Sequence, residues 1–493
     1  MAGLGILVIL LDLLVSRKGV LVGFAFAGLV VPLIMGLLLL FDLDSSGLTN
    51  LISESSILAQ SVQVDRFSLF FNFLILAATA LVILASTDYV RRMERNQGEY
   101  FGLILLSASG MMLLVAATDL ITIYISLELT TLPIAALAAF LLSSTSSEAG
   151  MKFLIIGALS SAIMLYGMAL VFGFAGSTNL EGIAASFQEP GQPRLVGVPF
   201  GSYAMLVGVV LMVVGFGFKL SSVPFQMWVP DVYEGGPTPV IAFLSVASKA
   251  AAFGLVLRFF YTGFLDVEVD WGVLLAILAA ASMTIGNLAA IAQNNIKRLF
   301  GYSTIAHAGY ILIGVAAVAI GANVSGFTTF GPSSVLFYLG AYTAANLTAF
   351  FAIIAISNRI ESDQIDDYAG MARRSPFLAV ALALALVALI GVPPTSIFIA
   401  KIYVFTAAVN SGLAWLAILG VVNSVVSAYY YVRVIRVMFL QEPASAEGVP
   451  MSAPSRFALV VAGAAMLWLG VAPGLVLNAA ESAVTVLAGV AAR

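Results

Sequence analysis

Residues 203–224 read YAMLVGVVLMVVGFGFKLSSVP, an apolar run that ends in a lysine, two serines and a proline. A helix that crosses a bilayer needs about 20 mostly apolar residues, because its backbone polar groups must be satisfied within the segment. The run therefore predicts a transmembrane helix that is interrupted close to Lys219.

The rest of the chain has the same apolar composition. Of its 493 residues, 61% are hydrophobic and 9% are charged, against roughly 45–50% and about 25% in soluble domains. These proportions exclude a soluble fold and make the lipid bilayer the expected solvent. The net charge of −4 argues against nucleic-acid binding, which requires basic patches. With no cysteine and one histidine, disulfides and thiolate-ligated metals are excluded, and haem or zinc ligation is not expected.

Fourteen apolar runs predict an all-α polytopic membrane protein with about 14 transmembrane helices. The predicted spans are 2–16, 19–41, 66–88, 101–118, 120–142, 149–175, 200–222, 237–262, 271–293, 301–321, 333–357, 376–409, 412–440 and 456–478. The first span is short and the twelfth is long. Since no connection is large enough for a separate domain, residues 1–493 form one membrane domain.

The basic residues predict the orientation of these spans, because cytoplasmic loops carry an excess of lysine and arginine. Those that follow odd-numbered spans are Arg17, Lys18, Arg91, Arg92, Arg95, Lys152, Lys297, Arg298, Arg359, Arg373, Arg374, Arg433, Arg436 and Arg456. Those that follow even-numbered spans are Arg66, Arg194 and Arg258, and Arg493 ends the chain. The asymmetry predicts that both termini lie outside.

Three lysines lie inside predicted spans: Lys219, Lys249 and Lys401. A lysine near the bilayer centre costs about 2.5–3.5 kcal/mol on insertion scales, so such residues usually pair, face a hydrated interior or carry ions. A snorkelling side chain or a structural ion pair would explain one such lysine. Three together favour the handling of protons or other cations.

Two further titratable residues are candidates for the same site. Glu128 is the acid that the sequence places deep in a span, whereas Asp12 and Asp119 lie where interfacial or capping roles suffice. A carboxylate and a lysine in one low-dielectric site alter each other's protonation, which allows proton transfer. His307, the single histidine, fits either a buried core residue or a proton relay, since imidazole titrates near neutral pH.

Two spans contain helix breakers, at 219–224 in the seventh and at 391–395 in the twelfth, and each has a lysine nearby. Discontinuous helices at membrane depth line cavities in transporters built from repeats. The breaks are five spans apart, which suggests two inverted five-helix repeats, spans 4–8 (101–262) and 9–13 (271–440). Helices 1–3 (1–100) would precede them and a C-terminal helix (456–493) would follow. Two unrelated proline kinks are the alternative.

Residues 223–240, VPFQMWVPDVYEGGPTPV, resemble the signature of subunit N of respiratory complex I, the proton-pumping NADH:quinone oxidoreductase. The resemblance continues in SVASKAAAF (245–253), NNIKRL (294–299) and YSTIAHAGY (302–310). The sequence departs from the family at Gln226, where histidine is more frequent, and at Val229, where threonine is common.

The resemblance implies an antiporter-like subunit with two inverted half-channels that meet on a central hydrated axis. Glu128 and Lys219 would form the carboxylate–lysine pair of the inner half-channel. Lys249 and His307 would be central relay groups, and Lys401 would lie near the outer exit.

The resemblance also implies where the redox chemistry of the complex takes place. This chain would hold no cofactor, and FMN and iron–sulfur clusters would reside in partner subunits. Its partners would be other membrane subunits of complex I, including further antiporter-like subunits, and protons. A bacterial plasma membrane is the expected location, and an organelle inner membrane is the second choice.

Two other functions remain open at this point. One is a subunit of a multisubunit Na⁺/H⁺ antiporter, which resembles these complex I subunits and is driven by a gradient. The run Asp231–Val240 with Ser248 and Lys249 favours complex I. The other is a structural scaffold, against which stands the burial of three lysines with one deep carboxylate.

Overall fold

The computed structural model of the chain describes residues 1–14, 19–45, 61–90, 96–186, 201–264, 271–321, 329–443, 445 and 447–491. In these ranges the chain is almost entirely helical. Eleven of the described helices are long and apolar enough to cross a membrane, and five apolar helices are shorter. The prediction of an all-α polytopic membrane protein is confirmed.

The first half contains long apolar helices and a few short connecting helices. They are α1 Ala2–Leu14, α2 Gly19–Gly28, α3 Val30–Ser45, α4 Arg66–Ala85, α5 Thr87–Val90, α6 Gln97–Ala116, α7 Leu120–Ala138, α8 Ser144–Ala175, α9 Leu180–Ser186, α10 Gly201–Leu220, α11 Val229–Gly235 and α12 Thr238–Gly263. Asp119 caps α7, where its carboxylate accepts hydrogen bonds from the amides of Ile121 and Thr122, so the capping role predicted for it is confirmed.

The second half has longer central helices. They are α13 Trp271–Ile291, α14 Ile296–Gly321, α15 Phe330–Ile360, α16 Met371–Arg374, α17 Pro376–Ile390, α18 Ser396–Asn410, α19 Ala414–Leu440, α20 Ala453–Val471 and α21 Gly474–Ala491. A 3₁₀ turn over Ile365–Tyr368 connects α15 to α16.

Both predicted helix breaks are present. The helix α10 ends at Leu220, the next residue Ser221 has φ 62°, and α11 begins at Val229. The helix α17 ends at Ile390, Gly391 has φ 92°, and α18 begins at Ser396. Each break puts non-helical backbone beside one of the buried lysines.

The centre of the bundle consists of α12, α14 and α15, which are almost wholly buried by the other helices. The helix α14 packs closely against α13 because small residues lie at their contact. A Cβ at Gly286 would lie 2.6 Å from the amide nitrogen of Ala306, and one at Gly309 would lie 2.6 Å from that of Met283. Small residues at such contacts let helix backbones approach closely in membranes.

The C-terminal part differs from the prediction. The sequence predicts one span over 456–478, but the structure has α20, which ends at Val471, and a separate α21, which begins at Gly474. Pro473 lies between them and cannot continue a helix, since it lacks an amide hydrogen and clashes with the preceding turn. Because the residues on both sides of Pro473 are apolar, the hydrophobic pattern does not reveal that the helix is interrupted there.

From the sequence, Arg258 is counted among the loop residues, but the structure places it in a helix. It lies within α12 and is 1% exposed. Its guanidinium forms an ion pair with Asp65 at 2.8 Å and donates to the Val115 carbonyl and to Gln63. This contact joins the far end of α12 to the start of α4, which Asp65 also caps.

The orientation of the termini and the equivalence of spans 4–8 and 9–13 stay predictions. Some of the basic residues that support the orientation lie outside the described residues: Arg17, Lys18, Arg91, Arg92, Arg95, Arg194 and Arg493.

The Arg258–Asp65 ion pair is expected to contribute strongly to stability. Arg258→Met leaves Asp65 buried without its cation, which typically costs about 3–5 kcal/mol. The matched control is Arg359→Met, because Arg359 pairs with the exposed Glu447, and such surface pairs contribute about 0–1 kcal/mol. Thermal denaturation in detergent measures both changes. Equal losses for the two variants would contradict the importance of the buried pair.

Candidate functional site

Lys219 lies in the last turn of α10, immediately before the helix break. Its ammonium donates a hydrogen bond to the hydroxyl of Thr131 on α7. Glu128, three residues before Thr131, acts on Lys219 by Coulomb attraction but forms no ion pair with it within 4.0 Å among the described residues. The Glu128 Oε1 atom is buried without a hydrogen-bond partner. The structure therefore places the Glu128 carboxylate near the Lys219 ammonium, which is hydrogen-bonded to the Thr131 hydroxyl.

A small cavity lies between Lys219 and Lys249. Its walls also include Phe153, Trp228 and Tyr233, and its volume suffices for about one water molecule. The Lys219 ammonium is 5.9 Å from the centre of the Phe153 ring. The two lysines thus border the same small cavity although they belong to different helices.

Lys249 directly follows a π-helical turn, Leu244–Ser248, in α12. Turns of this kind occur frequently at functional sites, because the extra residue changes which side chains face the interior. The Lys249 ammonium donates to the carbonyl oxygen of Thr304 on α14 at 2.7 Å. This bond connects the central lysine with the helix that carries His307.

His307 lies three residues after Thr304, on the same face of α14. Its Nδ1 atom is 2.9 Å from the hydroxyl of Tyr338 on α15. The positive charges of Lys401 and Lys249 both act on the imidazole. His307 also packs against Tyr310, whose ring contacts the Lys401 ammonium.

Lys401 lies in the second turn of α18, after the break in the twelfth predicted span. Its ammonium donates to the carbonyl of Ile390 at 2.8 Å and to the hydroxyl of Ser424 at 2.9 Å. The Ile390 carbonyl is free because α17 ends there, and a helix C-terminus favours a nearby cation. A Cβ at Gly391 would lie 3.0 Å from the Lys401 side chain, so glycine leaves room for it.

The three lysines and the histidine share one property, which is nearly complete burial. The exposed fractions of Lys219, Lys249, His307 and Lys401 are 8%, 2%, 2% and 5%. Glu128 is partly buried. Four of the five predicted site residues are thus buried in the bundle, and the path through the five and the roles assigned to them stay predictions.

Sequence reasoning missed the individual partners of these residues. They are the hydroxyls of Thr131, Tyr338 and Ser424, the backbone carbonyl of Thr304 and the ring of Tyr310. One signal was available, because Thr304, His307 and Tyr310 recur every three residues and so share a helix face. The partners on α15 and α19 come from distant parts of the chain and gave no local signal.

Among the described residues, no group of three or more histidine, aspartate or glutamate side chains could hold a metal ion. The prediction that redox cofactors reside in partner subunits is a statement about other chains and stays a prediction.

Comparisons with known proteins agree with the motif resemblance. The family model described as NADH:quinone oxidoreductase/Mrp antiporter, TM, matches residues 117–427. The chain is 45% identical over 423 residues to NADH-quinone oxidoreductase subunit N of Dehalococcoides mccartyi, covering 85% of this chain and 86% of the relative. It is 39% identical over 484 residues to the subunit of that name in Desulforamulus reducens, covering 97% and 95%.

Solved structures show the same similarity in three dimensions. A chain of respiratory complex I from Thermus thermophilus with bound aureothin matches with a TM-score of 0.77 and 32% identity, over 97% of both chains. A chain of the Mrp complex from Dietzia sp. matches with a TM-score of 0.75 and 21% identity, over 99% of both chains, which shows a shared fold. Because the family model covers more than half of the chain and these subunit N relatives cover most of it, the chain belongs to the NADH-quinone oxidoreductase subunit N family.

Proposed function

We propose that the chain is a proton-translocating, antiporter-like subunit of an NADH:quinone oxidoreductase. In this function, electron transfer from NADH to quinone elsewhere in the complex drives protons across the membrane. The observation that carries the proposal is the set of buried titratable side chains Lys219, Lys249, His307 and Lys401. One small cavity borders the first two, and Lys249 is bonded to the backbone of the helix that carries His307.

The first half of the path is the space between Lys219 and Lys249. A proton on one of these amines repels a proton on the other, because both face the same small cavity in a low-dielectric interior. A change in the electrostatic field of the Glu128 carboxylate alters how strongly Lys219 holds its proton. The proton can then pass across the cavity to Lys249, where the neutral amine accepts it.

The second half of the path runs through α14. Lys249 is bonded to the backbone of Thr304, and the charges of Lys249 and Lys401 both act on the His307 ring. Imidazole accepts a proton at one nitrogen and releases one from the other, which suits a group between two amines. Lys401 receives the proton next, and the break in the helix supplies the Ile390 carbonyl that holds its ammonium.

The family supports a proposal for the location and the partners. The relatives that name the subunit are bacterial, which supports a bacterial plasma membrane. The redox groups, FMN and iron–sulfur clusters, would reside in partner subunits, and neighbouring antiporter-like subunits would pack against this chain. Protons would be taken up inside and released outside.

The second candidate is a subunit of a gradient-driven Na⁺/H⁺ antiporter. The fold likeness to the Mrp complex is compatible with it. The subunit N relatives at 45% and 39% identity support the redox-driven complex instead.

Lys219→Met removes the first amine of the path, so we expect NADH-driven proton pumping by the assembled complex to fall roughly tenfold or more. The measurement is the quenching of a pH-sensitive dye in proteoliposomes. The control is Lys152→Met, since Lys152 is a partly exposed lysine that pairs with Glu148 and Asp231. Normal pumping by Lys219→Met at an unchanged rate of electron transfer would refute the proposal.

Thr131→Val keeps the shape of the side chain but removes the hydroxyl bonded to Lys219. A lost hydrogen bond of about 1 kcal/mol predicts a decrease in pumping of roughly fivefold. Thr130→Val is the matched control, because Thr130 is also buried and its hydroxyl donates to the Ser126 carbonyl. If the two valine variants pump at the same rate, Thr131 has no special role at Lys219.

A further inference from the structure

A row of hydroxyl and amide side chains leads away from Lys401 between α13, α14 and α19. The Lys401 ammonium donates to the Ser424 hydroxyl at 2.9 Å, and the Ser424 oxygen is 3.5 Å from the hydroxyl of Tyr310. Asn287 on α13 donates its amide hydrogen to the same Tyr310 oxygen at 3.1 Å. The Lys401 ammonium is also 4.5 Å from the centre of the Tyr310 ring.

The row continues from Asn287 towards the end of α13. Tyr430 on α19 donates its hydroxyl to the Asn287 Oδ1 atom at 2.9 Å. Arg433, three residues further along α19, donates to the carbonyls of Ile291 and Gln293. We call Ser424, Tyr310, Asn287 and Tyr430 the polar seam; it runs from Lys401 to Tyr430, which lies one helical turn before the partly exposed Arg433.

Three of the four seam side chains are buried, and Ser424 is partly exposed. Asn287, Tyr310 and Tyr430 are each at most 1% exposed. Such polar groups are costly in an apolar bundle unless they bond to one another, and apolar residues would pack there without that requirement. Their bonds form a row from Lys401 towards the end of α13, with side bonds from Asn287 to Asn423 and from Ser424 to the Gly420 carbonyl, and this row of polar contacts points to a function along it.

Towards the C-terminal end of α18, the buried surroundings of Lys401 are apolar. Along the remaining described part of α18, the buried side chains are the apolar residues Val404, Ala407 and Ala408. Tyr403 stacks instead on the ring of Phe330. The polar contacts of Lys401 thus lead towards the Arg433 end, which the basic residues predict to be cytoplasmic.

We propose that the polar seam is a second proton-uptake route, which supplies Lys401 directly from the Arg433 end without passage through Lys219. The proposal rests on the function proposed above, because it supplies the same site. After Lys401 has released its proton, Tyr430 takes up a proton from the aqueous phase at the Arg433 end and releases its own towards Tyr310. Tyr310 and then Ser424 each accept one proton and release another, so one proton reaches the free amine of Lys401. Asn287 is a positioning residue that holds the Tyr310 and Tyr430 hydroxyls, and a water molecule completes the transfer between them.

The charged and titratable groups around Lys401 are few in the described part of the chain. Tyr310 contacts it directly, and His307 of the same helix interacts with it at longer range. On α19, Tyr430 and Arg433 belong to the route itself. Tyr431 packs on Tyr430 with ring centres 4.4 Å apart and is hydrogen-bonded to Ser303 of α14. Loss of the seam should therefore change how pumping responds to pH on one side of the membrane.

The test uses the complete complex in proteoliposomes with separate control of pH on the two sides. We expect Tyr430→Phe and Asn287→Leu to lower NADH-driven pumping roughly fivefold, because each removes a buried hydrogen bond of the route. Acidifying the side of the Arg433 end should restore part of the rate. The matched control is Tyr429→Phe, the same change at the adjacent residue, whose side chain is 63% exposed, and it should pump normally.

Normal pumping by both seam variants, or restoration only by acid on the opposite side, would overturn the route. If the larger changes prevent assembly of the complex, Ser424→Ala tests the first contact of the seam with less disturbance. Lys401→Met separates the two proposals: if it stops pumping while the seam variants pump normally, the seam alone is wrong. If Lys401→Met also pumps normally, the proposed function is wrong.

Discussion

The burial of cationic side chains in a lipid-facing bundle is the constraint on which the rest of this structure depends. Lys219, Lys249 and Lys401 are nearly inaccessible, and the described part of the chain places no carboxylate within 4.0 Å of any of their ammonium groups. Lone buried charges of this kind are costly. A function that requires an amine to gain and lose a proton explains why they are retained.

The helix breaks and the π-helical turn position the buried lysines, and the second break provides a hydrogen-bond acceptor for one of them. The break after Ile390 frees a carbonyl for Lys401, and the turn Leu244–Ser248 precedes Lys249. Arg258, by contrast, has a direct ion pair with Asp65, as expected of a structural charge. The chain thus contains two kinds of buried cation, one fixed by a carboxylate and one bonded to neutral oxygens.

The sequence predicted most of the fold, because apolar runs of spanning length and helix breakers beside lysines are local patterns. It also predicted Glu128, Lys219, Lys249, His307 and Lys401 as site residues, since charges inside apolar runs are conspicuous. It missed the hydroxyl partners Tyr338 and Ser424, because they are ordinary helix residues until the fold brings them beside His307 and Lys401. It misplaced the end of the last span, since Pro473 lies within an apolar region, and it counted Arg258 as a loop residue although its ion pair with Asp65 depends on two distant helices.

The central claim is that this chain moves protons as part of a redox-driven complex. Its most direct test is purification through a tag on this chain in mild detergent, reconstitution into vesicles, and measurement of the internal pH after NADH and a quinone are added. We predict a large assembly with flavin and iron–sulfur clusters whose NADH oxidation changes the internal pH in sodium-free buffer. A small assembly without redox centres, which exchanges Na⁺ for H⁺ and does not respond to NADH, would contradict the account.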